Sequence, residues 1–148
     1  MARVLVTEKI ADKGLDLLRD AGHEVDVRIG LDAAGLISAI AGAQALLIRS
    51  ATIGTADLLA AGTDLKIVGR AGIGLDNVDV DAATDHNVLV ANAPFSNAVT
   101  AAEHTMAMLL AQARNIAHAH AALIEGRWER SKWNGVELAE KTLGIIGL

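Results

Sequence analysis

The sequence predicts an α/β domain built on a parallel sheet, and three observations predict it. Short apolar runs recur at residues 4–6, 46–48 and 88–90. Strands of a parallel sheet are covered by helices on both faces, so they read as continuous apolar runs. Between the runs lie stretches with helical spacing, and strand and helix alternate about five times along the chain. Finally, 52% of the 148 residues are apolar, enough to bury the core such a fold needs.

Residues 4–6 begin the sheet. Ile10, Leu15, Leu17, Leu18 and Ala21 have helical spacing, which predicts a helix over about 10–21 stopped by Gly22. Residues 23–29 alternate polar and apolar, as a strand with one solvated face does. A second helix is expected over 32–41 with Asp32 at its N-cap. A buried strand over 45–48, a short helix over 55–59, a strand over 65–68, a helical turn over 79–84 and a strand over 88–91 follow. The single proline, Pro94, closes this region. Thr100-Ala101-Ala102-Glu103 has capping-box form, a hydroxyl followed three residues on by a carboxylate. Apolar residues then recur at three and four from Ala102 to Ile124, predicting one helix over about 101–125 that ends at Gly126. At 1.5 Å per residue it would span roughly 35–40 Å, longer than a domain of this size needs. Residues 127–140 are polar and irregular, and 142–147 read as a new buried strand. Domains rarely finish on an unpaired apolar strand, so the chain reads as part of something longer.

Composition excludes several classes. Thirteen basic residues face eighteen acidic ones, a net charge of −5 with a pI near 5.4. That balance argues against a nucleic-acid binder, whose affinity rests on neutralising phosphates. With no cysteine there is no disulfide scaffold, zinc ribbon or thiol nucleophile. No apolar run approaches membrane-spanning length, and the first residues have no signal-peptide form, so a cytoplasmic protein without a membrane partner is expected.

In open parallel sheets ligands sit beyond the carboxyl ends of the strands. Three expected strands end in Arg49-Ser50-Ala51-Thr52, in Gly69-Arg70-Ala71-Gly72-Ile73-Gly74 and in Asn92-Ala93-Pro94. Two arginines, two hydroxyls, an amide and exposed glycine N–H groups would converge on one rim, a set suited to a small anion. The alternative is that Arg49 and Arg70 are surface residues or pair with Asp76 and Asp79. Gly72-Ile73-Gly74 is not a dinucleotide fingerprint, because Asn77 stands where the third glycine belongs and a turn follows. The segment from Gly144 to Gly147 instead has the form in which such a fingerprint opens. His118 and His120 are two apart on a helix and do not face one another, and no metal site is expected.

Arg49-Ser50-Ala51-Thr52, the run from Gly69 to Asp79, Asn92-Ala93-Pro94, the run from Ala101 to Met106, Gly126-Arg127-Trp128-Glu129-Arg130, Gly135-Val136-Glu137-Leu138 and the run from Lys141 to Leu148 occur in that order. Together they resemble the D-2-hydroxyacid dehydrogenases, and in particular their 3-phosphoglycerate-oxidising branch, over essentially the whole chain. The resemblance implies an NAD-linked oxidation of 3-phosphoglycerate to 3-phosphohydroxypyruvate, the first step toward serine. It implies a flavodoxin-like substrate domain over 1–95, without its returning C-terminal segment. A crossing helix and the first strand of a Rossmann domain would occupy 96–148. It assigns substrate contacts to Arg49, Arg70, Ala71, Gly72 and, near a neighbouring subunit's site, Arg130, and the strand-end reading adds Ser50, Thr52 and Asn92 to them. It assigns cofactor contacts to Ile73, beside the nicotinamide, and Gly147. The family's catalytic Arg, Glu and His fall beyond Leu148, so no catalytic residue is expected within this chain. A small anionic substrate and a second copy of the chain are the expected partners. The alternative is a free-standing α/β small-anion-binding or regulatory module without catalysis.

Overall fold

A computed structural model of the chain describes residues 1–146, so the expectations for Gly147 lie outside the described residues. Two compact units are present, Met1–Asn97 and the chain from Ala98 onward.

The first unit is a five-stranded parallel sheet of β1 (Arg3–Val6), β2 (Glu24–Val27), β3 (Ala45–Ile48), β4 (Ile67–Arg70) and β5 (Leu89–Asn92). The spatial order is β2-β1-β3-β4-β5, the flavodoxin-like order. Four helices connect the strands: α1 (Asp12–Asp20), α2 (Ala33–Ile40), α3 (Ala56–Ala61) and α4 (Val80–Asp85). Side chains alternate between the two faces of each strand. Leu5, Leu46, Val68 and Val90 align in one row across the sheet, and the first three are buried against Ile40, Leu58, Leu59 and Ala83 of α2, α3 and α4. Val4 and Val6 point the other way, onto Leu15 and Leu18 of α1.

Local chemistry sets the helix ends. Asp32, Thr55 and Asp79 cap α2, α3 and α4 by accepting the N–H of Gly35, Leu58 and Ala82. After α1, Gly22 takes φ of 81°, and the N–H groups of Gly22 and His23 return to Arg19 and Leu18. That is the paired closure in which a left-handed residue, most often glycine, ends a helix.

Several expectations are corrected. β4 starts at Ile67 rather than at 65. The N–H of Leu65 closes the turn after α3 on Gly62, and the ladder with β3 opens with Ile67 opposite Ala45. Arg70 therefore lies inside the sheet, opposite Ile48. β5 is an edge strand, not one buried on both faces; Leu89 is 63% exposed. β2, the other edge, is shorter than expected and does not alternate cleanly, with Val27 exposed and Asp26 drawn to Arg28 and Arg3. Those guanidinium contacts, Arg28 first, hold the Asp26 carboxyl below the usual carboxylate range.

In the second unit the single helix expected over 101–125 is two helices, α5 (Ala98–Ala113) and α6 (Ile116–Ile124). Asn115 separates them with φ of 53°, a left-handed conformation that asparagine tolerates better than most residues. Helical periodicity runs through a break of two residues, Arg114 and Asn115, which is why spacing alone missed it. Because α5 starts at Ala98, Thr100 and Glu103 lie within its first turns and make no capping box. At 1.5 Å per residue α5 spans about 24 Å rather than the expected length. Gly126, with φ of 77°, closes α6 as expected. Trp133 docks on α6, stacked on His118 with ring centroids 5.5 Å apart. Residues 142–146 form no strand; they run beside Ala102, Thr105 and Met106 of α5 without a ladder partner among the described residues. An apolar run becomes a strand only by pairing.

Candidate functional site

The carboxyl ends of β3, β4 and β5 carry most of the candidate residues. Arg49 directly follows β3, and Arg70 ends the neighbouring β4. Arg49 is exposed, Arg70 is half-buried, and among the described residues neither forms an ion pair. The expected alternative of pairing with Asp76 or Asp79 is thus not what the structure holds. The Arg70 side chain lies over the backbone of Gly72, where a Cβ would overlap its Nη1. Its Nε also approaches Asn77 Oδ1 at 3.4 Å.

The loop after β4 is held from both sides. Ala71 donates its N–H to Ile48 at 2.8 Å, and Gly72 donates to Arg70 at 2.8 Å. On the other side Asn92 Nδ2 donates to the Ile73 carbonyl at 2.7 Å, and Ala93 N–H donates to Gly72 at 2.9 Å. The expected set of free backbone donors is therefore narrower: Ala71 and Gly72 are engaged internally. The N–H groups of Ile73 and Gly74 have no partner among the described residues. Ile73 itself is 42% exposed.

The loop after β3 is held by two residues that sequence reasoning passed over. Glu8, just beyond β1, accepts the N–H groups of Arg49 at 2.8 Å, Thr52 at 2.9 Å and Ala51 at 3.1 Å. Asn77 Nδ2 donates to the carbonyls of both Arg49 and Thr52 at 2.7 Å. Ser50 stays exposed in this loop. Thr52 is buried, its hydroxyl 2.9 Å from that of Thr7. The signal for Glu8 lies in topology, since only the order β2-β1-β3 makes the residue after β1 a neighbour of the residues after β3. Asn77 was legible only as a non-glycine in a glycine pattern.

Burial pushes the Glu8 carboxyl up, but the N–H groups of Thr52, Arg49 and Ala51, with the Thr52 hydroxyl, outweigh it and leave the group below its ordinary value. A depressed carboxyl stabilises the fold above its unfolded value of about 4.3. That contribution is lost as pH falls through the lower folded value. Stability measured by urea unfolding is expected to fall below about pH 4.5, with a shallower slope in Glu8→Gln. Identical slopes in the two proteins would show that Glu8 does not carry this linkage.

Arg130 belongs to the second unit, where it lines a cavity of about 230 Å³ with Trp128 and Trp133. His118 is taken up in the stack on Trp133. Gly144 stands in open space, with nothing within 4 Å of where a Cβ would lie. The described residues therefore form no cradle for a dinucleotide pyrophosphate by themselves, and no hydride step follows from them.

The fold is thus a flavodoxin-like α/β domain with two arginines at adjacent strand ends that form no ion pair among the described residues. Residues 4–137 match the model of the D-isomer specific 2-hydroxyacid dehydrogenase catalytic domain. The chain belongs to that family. It is 51% identical to the D-3-phosphoglycerate dehydrogenase of Mycobacterium leprae, over 98% of this chain and 27% of that one. Among solved structures, a Thermus thermophilus protein superposes with a TM-score of 0.84 at 32% identity, over 92% of this chain and 45% of that one. The NAD+-bound 3-phosphoglycerate dehydrogenase of Entamoeba histolytica superposes with a TM-score of 0.70 at 28% identity, over 76% of this chain and 39% of that one. The chain spans about a quarter of the length of the curated relatives it matches, from 23% to 28%.

Proposed function

We propose that this chain is the substrate-capturing part of an NAD-dependent dehydrogenase that oxidises 3-phosphoglycerate to 3-phosphohydroxypyruvate, toward serine. The observation that carries this reading is the pair of guanidinium groups, Arg49 and Arg70, at the ends of neighbouring strands of one sheet and without an ion pair among the described residues. Guanidinium forks match carboxylate and phosphate oxygens, and the proposed substrate carries both. Ser50 and the loop 71–74, braced by Asn92, complete the rim, with Thr52 anchoring its own loop from below. By family resemblance Ile73 would lie beside the nicotinamide, and NAD supplies the hydride acceptor when bound. Arg130 and Gly147 are assigned to the substrate and cofactor by family resemblance. In domain terms, residues 1–95 are the substrate domain and 96–148 begin the passage to the NAD-binding domain. A cytoplasmic location goes with a biosynthetic role. Self-association is supported by exposed Met106, Met108 and Leu110 on α5 and Leu123 and Ile124 on α6.

The test is a titration with 3-phosphoglycerate followed by amide chemical shifts. A charge-assisted hydrogen bond contributes about 1.5–3 kcal/mol, and water competes at so open a rim, so the affinity expected is on the order of millimolar. Shifts should cluster at residues 49–52 and 70–74, weaken with salt and disappear in Arg49→Ala. Shifts centred on His104, His118 and His120, or an Arg49→Ala chain that binds unchanged, would overturn the assignment.

This chain alone is expected to produce no NADH from 3-phosphoglycerate and excess NAD. Oxidising an alcohol requires a base placed on the hydroxyl. The carboxylate just beyond β1, Glu8, has its oxygens engaged by backbone donors. Turnover above a no-protein control, from material free of host dehydrogenase, would contradict the division of labour proposed here.

A further inference from the structure

We propose that Glu8 is a positioning residue of the anion site, an internal anion seated in a nest of three backbone N–H groups that fixes the loop bearing Arg49. The inference rests on reading Arg49 and Arg70 as the anion-binding pair. A carboxylate this close to an arginine ordinarily pairs with it. Here the pairing does not occur, and the hydrogen bonds show why. Glu8 Oε1 accepts both the Arg49 and Thr52 N–H groups, and Oε2 accepts that of Ala51. The donors that converge are main-chain, and the Arg49 guanidinium makes no ion pair among the described residues.

Two consequences follow for an incoming anion. The Glu8 charge would repel a phosphate or carboxylate at the rim, but it is offset by three N–H dipoles aimed at it. Arg49 keeps its guanidinium for an external partner, while its main chain is gripped on both sides: Glu8 holds its N–H and Asn77 holds its carbonyl. A long side chain loses less freedom on binding when its root is already fixed. A purely structural role would need only loop closure, which Asn77 already supplies through the carbonyls of Arg49 and Thr52. What Glu8 adds is a negative charge in a nest that otherwise would attract a free anion.

The nest is open to such an anion. A cavity of about 390 Å³, lined by Thr7, Glu8, Lys9, Arg49, Ala51 and Thr52 among others, opens beside it. Removing the carboxylate should therefore leave a vacancy that formate fills. The experiment uses the 148-residue chain with inorganic phosphate as the probe, read by amide shifts. In Glu8→Ala the amide signals of Arg49, Ala51 and Thr52 should move together, and phosphate affinity read at residues 70–74, away from the vacated nest, should fall about tenfold. Formate should return both toward the wild-type values measured at the same formate concentration. Glu8→Gln keeps the volume and one acceptor oxygen but turns an N–H₂ toward Ala51, so the Ala51 signal should move most and affinity should fall about threefold. If Glu8→Ala does not fold, Glu8→Gln decides. Phosphate affinity at residues 70–74 unchanged in a folded Glu8 variant, or a loss in Glu8→Ala that formate does not restore, overturns the positioning role. Wild-type chain that shows no phosphate shifts at residues 49–52 and 70–74 overturns the anion-site reading instead, and this inference with it.

Discussion

Truncating Leu46 to alanine is expected to destabilise the first unit by about 2–5 kcal/mol, the range for emptying a buried leucine site. Leu46 is the middle of β3, the strand at the centre of the sheet, and only 1% of it is exposed. It sits between Leu5 and Val68 in the row that faces α2, α3 and α4. Main-chain ladders on both sides keep β3 from moving to fill the space, so most of the cavity should persist. Urea unfolding is the measurement: the midpoint should fall sharply with little change in slope. Leu17→Ala is the control, since Leu17 is 63% exposed and should change stability by about 0.5 kcal/mol or less. Equal losses in the two variants would mean that the row around Leu46 is not the core.

Gly72→Ala is expected to separate function from stability. The backbone of Gly72 does not need a left-handed conformation, so alanine costs the main chain little. A methyl group there would, however, occupy the place of Arg70 Nη1. The arginine is the flexible partner and would swing away, leaving its Asn77 contact and its place at the rim. Affinity for 3-phosphoglycerate should fall about tenfold, the effect of losing one charge-assisted interaction, while the urea midpoint barely moves. Retained affinity would show that Arg70 does not act from the position seen here. A large loss of stability would mean that the turn after β4 is packed more tightly than its geometry indicates.

Much of this molecule is legible residue by residue. Asp32, Thr55 and Asp79 were available as caps because a short acceptor side chain before a helical stretch satisfies an N–H that the helix leaves open. Gly22 and Gly126 marked helix ends because each closure needs a positive φ. The motif residues at the strand ends, Arg49, Arg70 and Asn92, were legible because they follow apolar runs. Asn115 was not: one left-handed residue leaves the helical period on either side almost intact. Nor was the unpaired state of residues 142–146, whose apolar character is the same with a partner strand or without one.

The sequence by itself determined the class of fold, the succession of helices and strands in the first unit, the absence of cysteine chemistry and the family to which the chain belongs. These are set by local spacing, by composition and by motifs carried in order along the chain. Only the tertiary structure decided the β2-β1-β3-β4-β5 order, the register that places Arg70 opposite Ile48, and the seating of Glu8 and Asn77 around the loop after β3. The physical reason is distance along the chain. Glu8 and the N–H groups it accepts are separated by more than forty residues, and no local pattern records which strand end will fold beside which. Hydrogen bonds and packing between remote segments make that choice, and with it the neighbouring guanidinium groups on which the proposed function depends.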